Sequence, residues 1–528
     1  MKKITLLGIL LFNILSNAQN AGTLNNDFSE NGWDTIYGHD NGFEVNKLII
    51  QPDGRLLITA QANIGEGGEA VLVRYNADGT IDTSFGGGDG IIRTIQDQPQ
   101  NANPVFWMEP SDTKLQSNGK IIVVGGRFYS PRIFRFNTDG TLDTSFNATG
   151  IAAVPQGNGD NIEKVGIQSN DKIIICGVNK KNINNILVKH IFIWRLMPDG
   201  ILDTTFGNNG IIEYTDDNLL DGLESYFILN NLIVLPNDEL LDNHTFLSNA
   251  SSKVWLRKMT VNGVPDLSFG IAGNVIKNTP SNFGNYTYSN SAVFLDGSIL
   301  STFTISTGTN LGFDENVFKT NAQGLIDPDF NINISQGSTN PNVGSKIITH
   351  NNIFYLWTKT LASNGNDERD VIKCYDLNAN LIVSFGMAGT ALIDQNNIPK
   401  SMGGDFAIGS NGNIFISSAA TSTTSGGNLF LIINVLGATN PLNLSDTVLL
   451  NQLTISPNPS TGIFNIQTEN PIENATITVA NLNGRIVYEV KSENVDNKTL
   501  DLNYLLNGIY ILNISNSNYN YSQKLVKQ

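Results

Sequence analysis

Cysteine is nearly absent from these 528 residues: the chain has two, Cys176 and Cys374. They fall in different units of the repeat described below, too far apart on a ring for the roughly 7 Å between Cα atoms that a disulfide tolerates. Both are expected to be small buried residues, and stability must come from packing. Histidine is as scarce, with His39, His190, His244 and His350 scattered along the chain. No His-Glu-x-x-His pair or Cys/His spacing offers a metal site, so no metal and no cofactor is expected. A Gly-x-Ser-x-Gly elbow and a phosphate-cradling glycine loop are missing too, and no catalytic residue is assigned. Basic residues are a third deficit: 32 against 48 acidic ones leave a net charge of −16. So acidic a surface repels phosphate, which excludes nucleic acid as a partner. Long apolar runs are confined to the front. Residues 1–18 combine Lys2 and Lys3, an apolar stretch from Ile4 to about Leu15, and the small Ser16-Asn17-Ala18, the pattern of a cleaved export signal peptide. No later stretch reaches the roughly 18 to 20 apolar residues of a membrane span, so the mature chain is expected to have no transmembrane segment.

What the chain has is a repeat. A tail of the form Asp-Gly-Thr-(Ile/Leu)-Asp-Thr-Ser-Phe-Gly-x-x-Gly recurs, and its phenylalanine falls at Phe28, Phe85, Phe146, Phe206, Phe269, Phe330 and Phe385. The intervals are 57, 61, 60, 63, 61 and 55 residues, enough for four short strands and their turns. Midway in each unit a turn pair separates two apolar runs: Asp53-Gly54, Asn118-Gly119, Asn170-Asp171, Asn237-Asp238, Asp296-Gly297, Asn351-Asn352 and Asn411-Gly412. Such residues tolerate positive φ, so each pair predicts a tight two-residue hairpin turn. The second strand is almost wholly apolar, as in Ile121-Ile122-Val123-Val124, which implies burial on both faces. The third alternates, as in Arg132-Ile133-Phe134-Arg135-Phe136, and Gly90-Ile91-Ile92-Arg93 exemplifies a short fourth.

The two ends of the repeat region complete each other. A tail without strands opens the mature chain, from Gly22 through Phe28 to Gly32, and strands without a tail close the last unit, Leu429 to Ile433. Joining them completes a seventh sheet and hides its edges, so the repeats are expected to form a closed seven-bladed β-propeller over residues 19–437. The segment Asn137-x-Asp139-Gly140-x-x-Asp143 resembles the start of a calcium loop, but no bidentate acid follows at the twelfth position. A turn whose Asp and Asn bond their own backbone, with the phenylalanine plugging the space between blades, is the expectation instead.

In these tails the chain resembles the delta-60 repeat family of bacterial proteins, a resemblance specific in the first three units and weaker at Pro328-Asp329-Phe330 and Val383-Ser384-Phe385. It implies a propeller and no particular chemistry. After a linker, 438–450, the pattern changes to short alternating segments about ten residues apart, which predict a small antiparallel Ig-like sandwich over 451–528. Its motifs are Pro457-Asn458-Pro459-x-x-Gly462, Leu482-Asn483-Gly484-Arg485, Gly508-Ile509-Tyr510 and Lys524-Leu525-Val526-Lys527. In them the segment resembles the type A C-terminal sorting domain of the type IX secretion system of Bacteroidota. That resemblance implies recognition by the outer-membrane translocon and sorting machinery, cleavage of the domain, and a passenger released or attached at the cell surface.

Binding is the activity that this architecture suits best. The connections between first and second strands read as long and variable, and they carry aromatics outside the repeat pattern: Trp33, Tyr37, Trp107, Tyr286 and Tyr288. Rings held on one rim can stack on sugars or grip a peptide, which makes a glycan or protein ligand the first expectation. Trp194, Trp255 and Trp357 lie within strands and are expected in the core. A propeller-based polysaccharide hydrolase or lyase is the second reading, marked by carboxylates or histidines converging at the channel mouth. A structural or adhesive surface component, with its channel filled by side chains, is the third.

Overall fold

The computed structural model describes residues 21–29, 31–37, 43–64, 67–94, 109–127, 130–153, 161–183, 186–215, 226–247, 252–279, 289–306, 313–335, 346–361, 368–393, 401–421, 428–438, 453–468, 472–481, 486–496, 498–516 and 519–528. The expected signal peptide and residues 439–450 of the expected linker lie outside them. The chain divides into two compact units, Met1–Ala438 and Thr439–Gln528.

Among its described residues the first unit consists of seven four-stranded antiparallel sheets. The first sheet runs Phe43–Ile50, Leu56–Ile64, Gly67–Tyr75 and Ile91–Arg93 in spatial as in chain order, and the next five repeat the plan. Their arrangement follows from where alternate side chains go. In Ile121–Arg127, the second strand of the second sheet, Ile121 and Val123 enter a core shared with the first sheet, while Ile122 and Val124 enter one shared with the third. A strand buried on both faces has no polar side to show, which is why this run is uninterrupted. Seven such cores occur, one in each gap, and each contains one tail phenylalanine: Phe28, Phe85, Phe146, Phe206, Phe269, Phe330 or Phe385. Burying each ring stabilises the fold by roughly 1.5 to 3 kcal/mol.

The seventh sheet closes the circle. Trp33–Tyr37 pairs antiparallel with Asn428–Val435, in register from Trp33 opposite Ile433 to Tyr37 opposite Leu429. Leu24 bridges Val435, and the Gly22 amide donates to the Leu436 carbonyl at 2.7 Å. Phe28 packs with Phe430 and Ile432 of that sheet and with Val45 and Leu48 of the first. The front of the chain thus supplies the strand that the back lacks.

Two expectations need refinement. The two-residue turn is found at Asn351-Asn352, where His350 pairs with Ile353, but the other six hairpin turns are one residue longer. In Gln168–Lys172 the Asp171 amide donates to the Gln168 carbonyl at 2.9 Å, and of the Asn170-Asp171 pair only Asp171 takes a positive φ, 63°. This is a three-residue loop built on a type I turn. Asn170 serves differently, accepting the Lys172 amide at 3.2 Å on its side-chain oxygen. The tail's turn reading holds: Asp139 accepts the Thr141 amide at 2.9 Å and its hydroxyl at 2.7 Å. The second refinement concerns Arg135, whose position in an alternating strand suggests a solvated face. It is buried. Its Nε donates to Asp143 at 2.6 Å, its Nη2 to Ser145 at 3.2 Å and its Nη1 to the Pro198 carbonyl of the next sheet, with the guanidinium 4.7 Å from the centre of the Phe146 ring. Arg74 and Arg195 repeat the arrangement with Asp82 and Asp203. Cys176 and Cys374 are buried and free.

The second unit, among its described residues, is a sandwich of two sheets. One orders Leu453–Ser456, Ile463–Thr468 and Lys498–Asp501; the other orders Ile486–Val495, Ile472–Asn481, Gly508–Asn516 and Tyr519–Lys527. Phe464, Ile477, Val479, Leu500, Leu512 and Leu525 form the core between them.

Candidate functional site

The first strands of the seven sheets touch their neighbours and so form the innermost ring. Between the fourth and fifth sheets the link is made by side chains, Asn231 Nδ2 donating to the Ser291 carbonyl at 3.1 Å. Four residues before each hairpin turn opens, these strands carry Lys47, Asp112, Lys164, Asn231, Asn290, Lys346 and Asp405, in order round the axis. A register shift interrupts the first strand at or beside this height in five sheets, between Val45 and Lys47, Pro110 and Asp112, Ile162 and Lys164, Leu229 and Asn231, and Ser401 and Gly404. Bulges re-aim side chains and are common beside functional sites.

Asp405 is the best-connected member. Its Oδ2 lies 2.8 Å from Lys47 Nζ and accepts the Leu48 amide at 3.0 Å, while its Oδ1 lies 3.2 Å from Lys346 Nζ. Burial alone would raise its carboxyl, but Lys346 and Lys47 outweigh burial and hold it far below the usual carboxylate range. Asp112 is fixed in the same manner, accepting the Val165 amide of the next sheet at 3.1 Å. Lys114, two residues after Asp112, joins the group. Burial pulls its ammonium below the usual lysine range, Asp112 opposes that, and Lys47 and Lys164 reinforce it. Lys346 is lowered by burial against the attraction of Asp405, with Lys47 and Lys164 adding to the fall. Burial disfavours the charge of Lys47 as well, yet Asp405 and Asp112 raise it above the usual range. Lysines from the first, second, third and sixth sheets therefore feel one another across the axis. The Lys47 and Lys346 side chains remain 27% and 34% exposed, so the channel reaches them.

Three lysines against two aspartates at this level, with Lys114 two residues further along its strand, leave the region cationic in a chain of net charge −16. Lys114 and Lys164 make no side-chain ion pair or hydrogen bond among the described residues. Glu163 and Lys164 both act on the buried Cys176 thiol, the carboxylate raising it and the ammonium lowering it.

Further polar clusters among the described residues lie away from these inner-strand positions. Tyr214 donates to Asp242 at 2.6 Å and lies 3.1 Å from His244 Nε2, in the gap between the third and fourth sheets. Asp242 and His244 are fully buried there, and the Arg257 guanidinium covers the Tyr214 ring at 3.9 Å. His190 sits 3.1 Å from Glu213 in the third sheet, and His350 ends the first strand of the sixth. A cavity of about 740 Å³ lies outside the ring between the first and second sheets, lined by Ile92, Phe134, Leu142 and Ile151 among others.

The aromatics expected on the rim are placed differently. Trp33 and Tyr37 belong to the fourth strand of the closing sheet, not to a loop, and Trp33 is half-buried against the core of the sixth and seventh sheets. Trp107, Tyr286 and Tyr288 lie outside the described residues. Their segments do not join first to second strands, because the short hairpin turns occupy that connection. They run from the fourth strand of one sheet to the first of the next, Ile91–Arg93 to Pro110–Leu115 and Asn274–Thr279 to Ser291–Val293. Trp194, Trp255 and Trp357 are buried as expected. The channel residues were not singled out from the sequence, although their constant offset from the hairpin turns was available as a signal.

In the second unit the motif residues meet in space. The Asn458 side chain donates to the Lys524 carbonyl at 2.7 Å and accepts the Val526 amide at 2.9 Å, tying the first motif to the last. Tyr510 donates to the Leu506 carbonyl at 2.8 Å and Leu525 is fully buried. Pro457 and Pro459 flank Asn458, and a side chain at Gly462 would strike Asn503. Gly484 lies outside the described residues.

A ring of radial four-stranded sheets closed by its own first segment is a β-propeller, and the sandwich after it carries a sorting motif assembled from remote pieces. Residues 454–528 match the family described as the secretion system C-terminal sorting domain, and residues 51–85 and 116–146 match a β-propeller domain of unknown function, DUF5122. The chain is thus a β-propeller protein with a type IX secretion sorting domain, engages that secretion machinery, and is secreted or attached at the outer-membrane surface. No curated protein matches it. Similar solved structures include the polysaccharide lyase Uly1, at 8% identity over 76% of this chain and 92% of that one, TM-score 0.48. The acylaminoacyl peptidase of Pyrococcus horikoshii aligns at 11% identity over 83% of this chain and 60% of its own, TM-score 0.37. The propeller domain of the Trilobed protease from Pyrococcus furiosus aligns at 10% identity over 76% and 98%, TM-score 0.38. No helix among the described residues is long and apolar enough to cross a membrane.

Proposed function

We propose that the exported ring is a binding module that holds a glycan or a protein chain at the mouth of its axial channel. The observation that carries this reading is the set of charged and amide side chains presented at one height by all seven inner strands, Lys47 to Asp405. Uncompensated charge directed at a channel is costly for folding alone and is what a ligand would repay. The segments that carry Trp107, Tyr286 and Tyr288 connect to the first strands at the end opposite the hairpin turns, which suits them to flank that mouth. Paired-carboxylate hydrolysis fits less well. It requires one acid to keep its proton, whereas Asp405, the best-connected carboxylate here, is held ionised by two lysines.

The test is a binding screen of the mature chain against immobilised polysaccharides and surface proteins. The reading expects at least one ligand whose retention falls about tenfold or more in Trp107→Ala or in Tyr286→Ala/Tyr288→Ala, a loss of about 1.4 kcal/mol, with an unchanged melting midpoint. Failure to retain any ligand, or release of cleavage products from a polysaccharide, would contradict it.

A further inference from the structure

Resting on that reading, we infer that the channel is an oxyanion site, and that its ligand is an acidic glycan whose carboxylate or sulfate groups enter among Lys47, Lys114, Lys164 and Lys346. The argument begins with sign. In a chain with 48 carboxylates and 32 basic residues, four lysines gather where the inner strands converge, and two aspartates answer them. Both aspartates are already engaged, Asp405 by two ammonium groups and Asp112 by backbone amides. Lys114 and Lys164 are left without an ion pair among the described residues, each within the field of like charges. Neutral amides at Asn231 and Asn290 show that the same strand position tolerates an uncharged side chain, so the fold does not demand lysine there.

The remaining lining decides between a glycan and an acidic peptide. At the height of Lys47 the fourth and fifth sheets present Asn231 and Asn290, and no apolar side chain stands there; Ser289 and Ser291 beside them are buried, accepting from the Asn243 side chain at 2.8 and 2.6 Å. Asn231 Oδ1 and Asn290 Nδ2 have no partner among the described residues, one acceptor and one donor of the kind that reads sugar hydroxyls. Cations on one side of the channel and amides on the other match a chain that alternates anionic and hydroxyl groups. The two open lysines, partly stripped of water, bind an oxyanion more strongly than surface lysines would.

Calorimetry on the intact mature chain at about 50 mM salt tests this, because phosphate-like contacts weaken steeply with added salt. The probes are an oligogalacturonate, a sulfated heparin-derived oligosaccharide, a neutral malto-oligosaccharide of equal length and an oligoglutamate peptide. Binding of at least one acidic glycan is expected, weakened about tenfold or more in Lys114→Gln/Lys164→Gln and unaffected by Lys491→Gln in the sorting domain. The uronate and the sulfated probe distinguish which oxyanion is preferred. A rise in the melting midpoint of the unmutated chain with the acidic probe reports binding independently of any variant. Equal binding to the double variant, or preference for the peptide, overturns the inference. Binding of the neutral glycan alone overturns it while leaving the binding-module reading intact, and absence of any ligand removes both.

Discussion

A buried guanidinium is tolerated only when its donors are met and its charge is answered. Arg74, Arg135 and Arg195 satisfy both conditions with the aspartate of their own tail and a carbonyl of the next sheet. The pairing has a signature in acid. Burial alone would raise the Asp143 carboxyl, but Lys120, Ser145 and Arg135 depress it well below the ordinary range, and Asp203 is depressed in the same way. Unfolded aspartate titrates near 3.9, so between that value and the lower folded ones the native chain binds fewer protons than the unfolded chain. This stability is complete above about pH 4 and is lost as pH falls through the folded values. Melting midpoints from about pH 6 to about pH 2 should stay level and then drop; Asp143→Asn, less stable by about 3 to 5 kcal/mol for a broken buried pair, should start from a lower midpoint and drop less. An acid limb identical in the two proteins would contradict the assignment. The aspartates were legible in the sequence as turn formers. Their arginines were not, because an alternating strand conceals whether its polar face meets water or a neighbouring sheet.

At the scale of elements, the turns carry the architecture. Gly140, at φ +90°, packs over the previous sheet's phenylalanine: a Cβ there would meet Ile92 Cδ1 at 2.4 Å and Phe85 Cε2 at 2.8 Å. Gly87, at φ +81°, has open space where its Cβ would stand. Gly87→Ala should therefore cost only the backbone strain of about 1 to 2 kcal/mol, and Gly140→Ala that strain plus displacement of the inter-sheet contact. Equal losses of stability in chemical denaturation would show that the tail turn does not seat the phenylalanine. Strands and turns could be read from the sequence because Asp-Gly, Asn-Gly and the apolar runs recur with a physical reason at each position. The connections between sheets could not, since residues 95–108 and 280–288 carry no recurring signal, and the aromatics in them were assigned to the wrong junction. The register shifts that aim Lys47, Asp112 and Lys164 inward leave no mark in composition either.

For the whole molecule, closure is the property on which the rest depends. Seven cores, each with one tail phenylalanine, join seven sheets among the described residues, and the circle brings the third sheet's Lys164 into the field of the sixth sheet's Lys346. An open array would separate those lysines and leave the edge of Asn428–Val435 bare for aggregation. Closure could be anticipated from a tail without strands and strands without a tail, whereas the charge of the channel depends on which inner side chains share a height, and that is a property of the ring.

Amide hydrogen exchange on the intact mature chain tests closure most directly. Residues 33–37 should be protected to the same degree as their partners 429–433, and both segments should lose protection together as denaturant is added. Rapid exchange at 33–37 beside a protected 429–433 would mean that the first segment does not seal the ring.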